Sequence, residues 1–264
     1  IPCEQGSAPG EVPELAETPD RANVRILTGT NYPPYVDRGL PAGGFSFELV
    51  EQALQFRDQP ADYQIDVIDD WGAHLTTLLA GGAYDLAFPW FLPDCSQRDR
   101  LGDAGQWRCV NLHFSQPLHE IVVAFYIRDE DTGEIRTASD IEGKRLCRPD
   151  GYFTHDLAVK GLMPPKIIRV AGSDPTDCFE RLVSGEVDVV TLNADTADQN
   201  ISRLGIENEV SELIDLATIE TLHVVGMRTN PKTRTLLLRI DQGLNGLHKN
   251  GIFTDLAAKH LAGN

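Results

Sequence analysis

Short apolar runs alternate with amphipathic stretches along most of this chain, so strand and helix are predicted in turn. Val24 to Thr28 reads as the first strand. Phe47, Leu49, Val50, Ala53 and Leu54 then recur at helical spacing, with Glu48 and Glu51 in the opening turns. Ile65 to Ile68 is a second short strand, and Trp71 to Leu79 a helix with Leu75, Leu78 and Leu79 on one face. Gly81-Gly82 stops that helix before the strand Tyr84 to Phe88. The same helix–glycine–strand unit returns downstream, from Phe179 through Gly185 to Val190. Between the two units lie a strand over Ile121 to Ile127, a short helix over Thr137 to Gly143 and a strand over Arg145 to Arg148. Leu222 to Met227 reads as a strand. Leu236 to Lys249 is an amphipathic helix closed by Gly251, and Ile252 to Leu261 forms the last helix. Mixed α/β sheets follow, and two similar units predict two lobes. Residues 1–22, rich in Pro, Gly, Glu and Ala without a period, read as a tail or linker.

One loop stands out against this pattern. Tyr32-Pro33-Pro34-Tyr35 follows the first strand, and its prolines cannot extend a ladder because they lack an N–H and fix φ. The loop therefore leaves the sheet at the strand's carboxyl end, where ligands bind in open α/β sheets, and carries two aromatic faces with it.

Composition narrows the function classes. The 264 residues carry 23 Lys plus Arg against 40 Asp plus Glu, a formal net charge of -17, which argues against a nucleic-acid partner. No apolar run approaches the roughly 20 residues that cross a bilayer. No basic and apolar leader is present, so the chain reads as a mature or trimmed form. Five cysteines fit an oxidising compartment with one left over, and their pairing stays open. Cys95 and Cys109 flank a polar stretch and are one candidate pair. Cys147, on a predicted strand, and Cys178, opening a predicted helix, are another. Cys3 is expected to be disulfide-bonded or a free thiol. No Cys-x-x-Cys spacing occurs and the seven histidines lack metal spacing, so no metal or cofactor is expected. No Gly-x-Ser-x-Gly elbow or placeable acid–base pair appears, so the chain is read as a non-enzyme without catalytic residues.

Several loose motifs occur in a specific order. After the aromatic-proline loop come Gly44-Phe45 with a nearby acid, the Leu-x-x-Gly-x-x-Asp run ending at Asp85, Arg98 and Phe114-Ser115-x-Pro117. Ser139-Asp140-Ile141-Glu142-Gly143-Lys144-Arg145 and a second Gly-x-x-Asp, Gly185 to Asp188, complete the series. From Val24 to Leu261 this order resembles the family-3 extracellular solute-binding proteins, the periplasmic receptors of amino-acid ABC importers. The resemblance implies a two-lobed periplasmic-binding-protein-like α/β fold, each lobe a mixed sheet flanked by helices, with two hinge strands between them. Lobe 1 would be residues 23–118 and 222–264, and lobe 2 residues 119–221. The implied function is capture of a small polar carboxylate, an amino acid or derivative, by hinge closure. The implied partner is an ABC-type membrane permease, and the chain would be a periplasmic or extracytoplasmic monomer. The alternative is a ligand-sensing module of a larger receptor or cell-envelope protein.

The same resemblance assigns site residues. Arg98 would grip the ligand carboxylate through its planar guanidinium, with Arg100 one small register error away. Tyr32 would lie flat against the ligand; Tyr35 would touch it or pack over the sheet edge. Trp90 and Phe91 stand where the family offers small or hydroxylated residues. Tyr152 and Phe153 replace the hydroxyls of a Gly-Thr-Thr turn, in the run Asp150-Gly151-Tyr152-Phe153-Thr154. Asn193 replaces the aspartate that pairs with the α-ammonium group, and Asp195, two residues on, is the candidate to restore the charge. These departures leave two ligand types open: a methylated ammonium held by cation–π attraction, or an aromatic or heterocyclic acid.

Overall fold

The protein was analysed as a computed structural model, which describes residues 24–56 and 62–261. The tail expected over residues 1–22 and the role expected for Cys3 lie outside the described residues. Two parallel strand–helix–strand assemblies are stitched together by a pair of long antiparallel strands. The first assembly contains β1 (Val24–Thr28), α1 (Phe45–Gln55), β2 (Tyr63–Val67), α2 (Trp71–Ala73) and β3 (Leu86–Phe91). It continues with α3 (Asp103–Asn111) and β4 (Leu112–Phe114), and α7 (Thr233–Lys249) and α8 (Ile252–Leu261) return to it. The second contains β6 (Arg145–Pro149), α4 (His155–Lys160), β7 (Ile168–Gly172), α5 (Pro175–Val183), β8 (Val189–Asn193), α6 (Ala194–Leu204) and β9 (Val210–Glu212). The stitching strands are β5 (His119–Arg128) and β10 (Thr218–Met227).

The strand order is β2-β1-β3-β10-β5-β8-β6-β7, with β4 on β10 and β9 on β5. β1 is parallel to β2 and β3, and β6 is parallel to β7 and β8. The central strands divide their length between the halves. Residues 218–222 of β10 pair with residues 119–123 of β5, after which β10 turns to β3 and β4 while β5 turns to β8 and β9. Each half therefore owns a sheet, and β5 and β10 alone run through both.

Period-2 alternation feeds both faces of each sheet, as expected for strands covered by helices on two sides. In β3, Leu86 and Phe88 enter the core beneath α1 and α7 and Ala87 the opposite core with Leu75, Leu79 and Leu112; the alternation breaks after Phe88, opposite a register shift in β10, so Trp90 joins Ala87. In β5, Ala124 and Tyr126 join Phe179 and Leu182, while Phe125 and Ile127 join Ile141 and Leu157. Each such buried aliphatic or aromatic side chain contributes roughly 1.5–3 kcal/mol. α1 and α7 approach backbone to backbone at Gly243, where an added Cβ would lie 2.1 Å from the Ala53 carbonyl oxygen.

Sequence and structure differ in informative places. β3 runs on to Phe91, past the predicted end at Phe88, and so delivers Trp90 and Phe91 to the gap between the halves. The predicted helix Trp71 to Leu79 is α-helical only over Trp71–Ala73 and continues as a wider π turn, His74–Leu79, where His74 Nε2 meets the Ile68 carbonyl at 2.8 Å. Thr137 to Gly143 narrows to a 3₁₀ turn, Ala138–Ile141, held by a Thr137–Asp140 capping box. α3 had no sequence signal because it buries none of its residues. Of the fifteen possible cysteine arrangements, Cys95–Cys109 and Cys147–Cys178 are the disulfides formed among the described residues.

Candidate functional site

The gap between the halves is built from strand ends and the loops that leave them. After β1 the chain forms a tight loop in which Tyr32 N–H donates to the Val36 carbonyl at 3.0 Å and Val36 N–H donates back at 2.9 Å. The first turn of α1 then clamps this loop. Phe45 N–H donates to the Pro34 carbonyl at 3.0 Å and Ser46 N–H to the Tyr35 carbonyl at 2.9 Å, so orphan helix donors become loop anchors. Gly44 makes the approach feasible: its φ is 98°, and a Cβ there would lie 2.7 Å from the Tyr35 carbonyl oxygen.

Across the gap, Tyr35 Oη donates to Asp195 Oδ2 near the start of α6. Burial, then the neighbouring Tyr32 and Asp195, push the Tyr35 hydroxyl's pKa up, so it remains a donor. Thr196 Oγ1 donates to the Pro33 carbonyl at 2.6 Å and accepts from Asn193 Nδ2 at 2.7 Å. Asn193 is buried behind this contact and orients Thr196. Tyr35 also stacks on His119 of β5, with ring centroids 4.8 Å apart, and His119 Nε2 meets Ser46 Oγ at 2.8 Å. Burial depresses the His119 pKa to about 4, so the ring is neutral at physiological pH.

Beside this latch lies a small ring-lined pocket. Tyr32, Trp71, Trp90 and Phe91 form its wall from the first half, and Tyr152 and Phe153, in the turn after β6, its wall from the second. The rings interlock across the gap: Tyr32 meets Tyr152 edge-on at 5.7 Å, Phe91 meets Phe153 at 3.6 Å, and Trp71 meets Trp90 edge-on at 5.6 Å. The space remaining for the centres of water molecules is about 60 Å³. One cation lines it, Arg108 of α3, with Cζ 4.9 Å from the Trp90 ring centre. Among the described residues Arg108 has no ion-pair partner, and burial lowers its pKa to about 10, so it stays charged at neutral pH. Trp90, only 7% exposed, has an indole N–H without an acceptor, and the Tyr152 hydroxyl likewise lacks a partner. Buried polar atoms left in this way cost free energy unless something meets them.

The expected site residues divide accordingly. Tyr32, Trp90, Tyr152 and Phe153 converge on the pocket, while Tyr35, Asn193 and Asp195 build the adjoining latch. Arg98, expected as the carboxylate grip, does neither. It sits solvent-exposed in the 3₁₀ turn Cys95–Arg100, which Asp94 caps by accepting from Ser96 N–H at 3.1 Å; Arg100 is exposed as well, on Gln97 Oε1. The chain then folds back as α3, tied to that turn by the Cys95–Cys109 disulfide, and this return brings Arg108 to the pocket. The one sequence signal for Arg108 is its place next to a paired cysteine. Trp71 went unnoticed because its spacing matched a core helix.

A deeper polar element supports the Tyr152–Phe153 turn. Buried Arg148 pairs with Asp156 at 2.6 Å and donates to the Phe153 carbonyl at 2.8 Å and to Thr191 Oγ1 at 2.7 Å. Its charge is consumed there and leaves the pocket to Arg108. Among the described residues no cluster of His, Cys, Asp and Glu is arranged to hold a metal ion, and no helix is long and apolar enough to cross a membrane.

No protein-family model matches this chain, and no curated protein sequence matches it. Solved structures do. The GluR0 ligand-binding core from Nostoc punctiforme, in complex with L-glutamate, aligns with a TM-score of 0.65 at 18% identity, over 90% of this chain and 98% of that one. A mutant of ArgBP from T. maritima aligns at 0.66 and 18%, over 91% and 95%. The periplasmic VFT2 domain of BvgS from Bordetella pertussis aligns at 0.66 and 18%, over 90% and 92%. These likenesses establish the fold as the two-lobed, periplasmic-binding-protein-like α/β type.

Proposed function

We propose that this chain is an extracytoplasmic binding protein that captures a small carboxylate between its lobes for an ABC uptake system, and that Arg108 holds the carboxylate. The observation that carries this reading is an unpaired guanidinium beside an unpartnered indole N–H and phenol, at the meeting of the two halves. A planar guanidinium matches a carboxylate with two parallel hydrogen bonds. Closure of residues 119–221 onto residues 23–118 and 222–264, by bending in β5 and β10, brings both ring walls onto the ligand. A ligand touching both lobes stabilises the closed form by its differential affinity. The closed shape is what a permease would recognise. Two disulfides favour an oxidising, extracytoplasmic location.

The chain acts as a monomer that binds without converting its ligand. The histidine nearest the latch, His119, is enclosed by Tyr35, Phe45 and Ser46, out of reach as a general base. Thermal-shift screening of amino and organic acids tests the reading. Hits should vanish in Arg108→Ala and persist in Arg98→Ala; hits insensitive to Arg108→Ala, or lost only with Arg98→Ala, would refute it. Ligand recovered chemically changed would refute the non-enzymatic part.

A second reading, a sensing module of a larger receptor, is favoured by the likeness to the BvgS domain and by the Pro- and Glu-rich residues 1–22. Deleting the gene separates the two: lost uptake of the ligand supports transport, and intact uptake supports sensing.

A further inference from the structure

We infer that the ring-lined pocket selects a planar aromatic carboxylate that carries no ammonium group, an inference resting on the cleft function proposed above. Three observations lead there. The side-chain polar groups on the lining residues include three that are donors or can donate: the Arg108 guanidinium and, both buried without partners, the Trp90 indole N–H and the Tyr152 hydroxyl; the one pure acceptor, the Asp150 carboxylate, is solvent-exposed. Such a set satisfies an anion and leaves an ammonium without an acceptor.

Of the carboxylates nearby, one is engaged elsewhere and the other is held in solvent, where water screens it. Asp195, the residue expected to meet an ammonium, accepts the Tyr35 hydroxyl and is not among the residues lining the pocket. Asp150 is the one acid on that lining among the described residues; it is exposed, and its charge acts on Arg169 of β7. An α-ammonium group would lie two bonds from the carboxylate that Arg108 holds, close enough to the guanidinium to be repelled.

The walls supply the third observation. Six rings from both halves border a space of about 60 Å³, smaller than the cavity of about 150 Å³ that takes up benzene, so a guest enters as the halves part; a flat body then gains offset or edge contact on both sides, whereas a flexible polar side chain gains little. Tyr32 and Trp90 each meet Trp71 edge-on, so the first-half wall is itself a set of packed rings.

Calorimetric titration of the purified chain with benzoate, indole-3-carboxylate, L-phenylalanine and L-glutamate tests this. Benzoate or indole-3-carboxylate should bind at least tenfold tighter than L-phenylalanine, weaken about tenfold or more in Arg108→Ala, and weaken several-fold in Trp90→Phe, which keeps a ring but removes the N–H. Melting curves confirm that both variants remain folded. L-phenylalanine or L-glutamate binding as tightly as the aromatic acids, and lost with Arg108→Ala, would overturn the ligand class and leave the cleft function standing. No binding by any of the four, or binding indifferent to Arg108→Ala, would overturn both.

Discussion

Replacing Tyr35 with phenylalanine removes one oxygen from the contact that joins the lobes. The ring keeps its stacking on His119 at 4.8 Å and its burial, since Tyr35 is 1% exposed. What disappears is the hydrogen bond from Tyr35 Oη to the Asp195 carboxylate. Hydrogen bonds to charged groups contribute about 1.5–3 kcal/mol. Asp195 is half-buried and water can replace the lost donor, so the lower end applies, roughly a tenfold shift from closed to open. The Thr196–Pro33 bond remains and prevents a larger change. Small-angle scattering should show the variant with a larger radius of gyration than the parent, while its melting temperature moves little because both cores are untouched. Affinity for a cleft ligand should fall by the fraction of molecules no longer closed. Identical scattering and identical affinity in the two proteins would show that this bond does not hold the lobes together.

Two further perturbations probe the same framework. His119, neutral and buried with a pKa near 4 against an ordinary value of about 6.5, takes up protons more readily once unfolded, so folding stability is full above pH 6.5 and declines as the pH falls toward 4. The loss should be about 2 kcal/mol between pH 7.5 and 5. Urea midpoints should show a shallower pH slope in His119→Gln, with the remainder partly due to His74 and His223, both shifted down by burial; an unchanged slope would contradict the argument. Gly29→Ala would place a Cβ 2.2 Å from Trp71 Cε2, forcing the indole off its 2.9 Å bond to the Thr30 carbonyl. It should cost about 1–3 kcal/mol and alter tryptophan fluorescence, and a variant with parental melting and emission would show that Trp71 yields freely.

Much of the architecture was legible because it is written in apolar period. β1, β3, β5, β6, β8 and β10, with α1, α7 and α8, bury a stripe or a face and appear in the hydrophobic pattern; β4, β7 and β9, short or half-exposed, do not. The aromatic-proline loop was legible for a different reason: prolines exclude alternatives. Arg108 was not, because α3 has no fully buried residue to give it an apolar stripe, and its path depends on a covalent link between residues fourteen apart. Position along the chain favoured Arg98, but a turn capped by Asp94 directs that side chain to solvent. Asp195 meets Tyr35, a partner 160 residues away that cannot be read from local spacing. Contacts between lobes are long-range by construction, and local sequence carries little of them.

The tether at Cys109 has a consequence for how the protein becomes functional. The segment bearing Arg108 has no fully buried residue, and Trp107 and Arg108 pack only partly against the body, so closing this short loop by oxidation, worth about 3 kcal/mol, supplies much of its order. A reduced chain would assemble its strands while Arg108 still wandered. Order at α3 then arrives with thiol oxidation, and reductant should release this segment before it unfolds anything else.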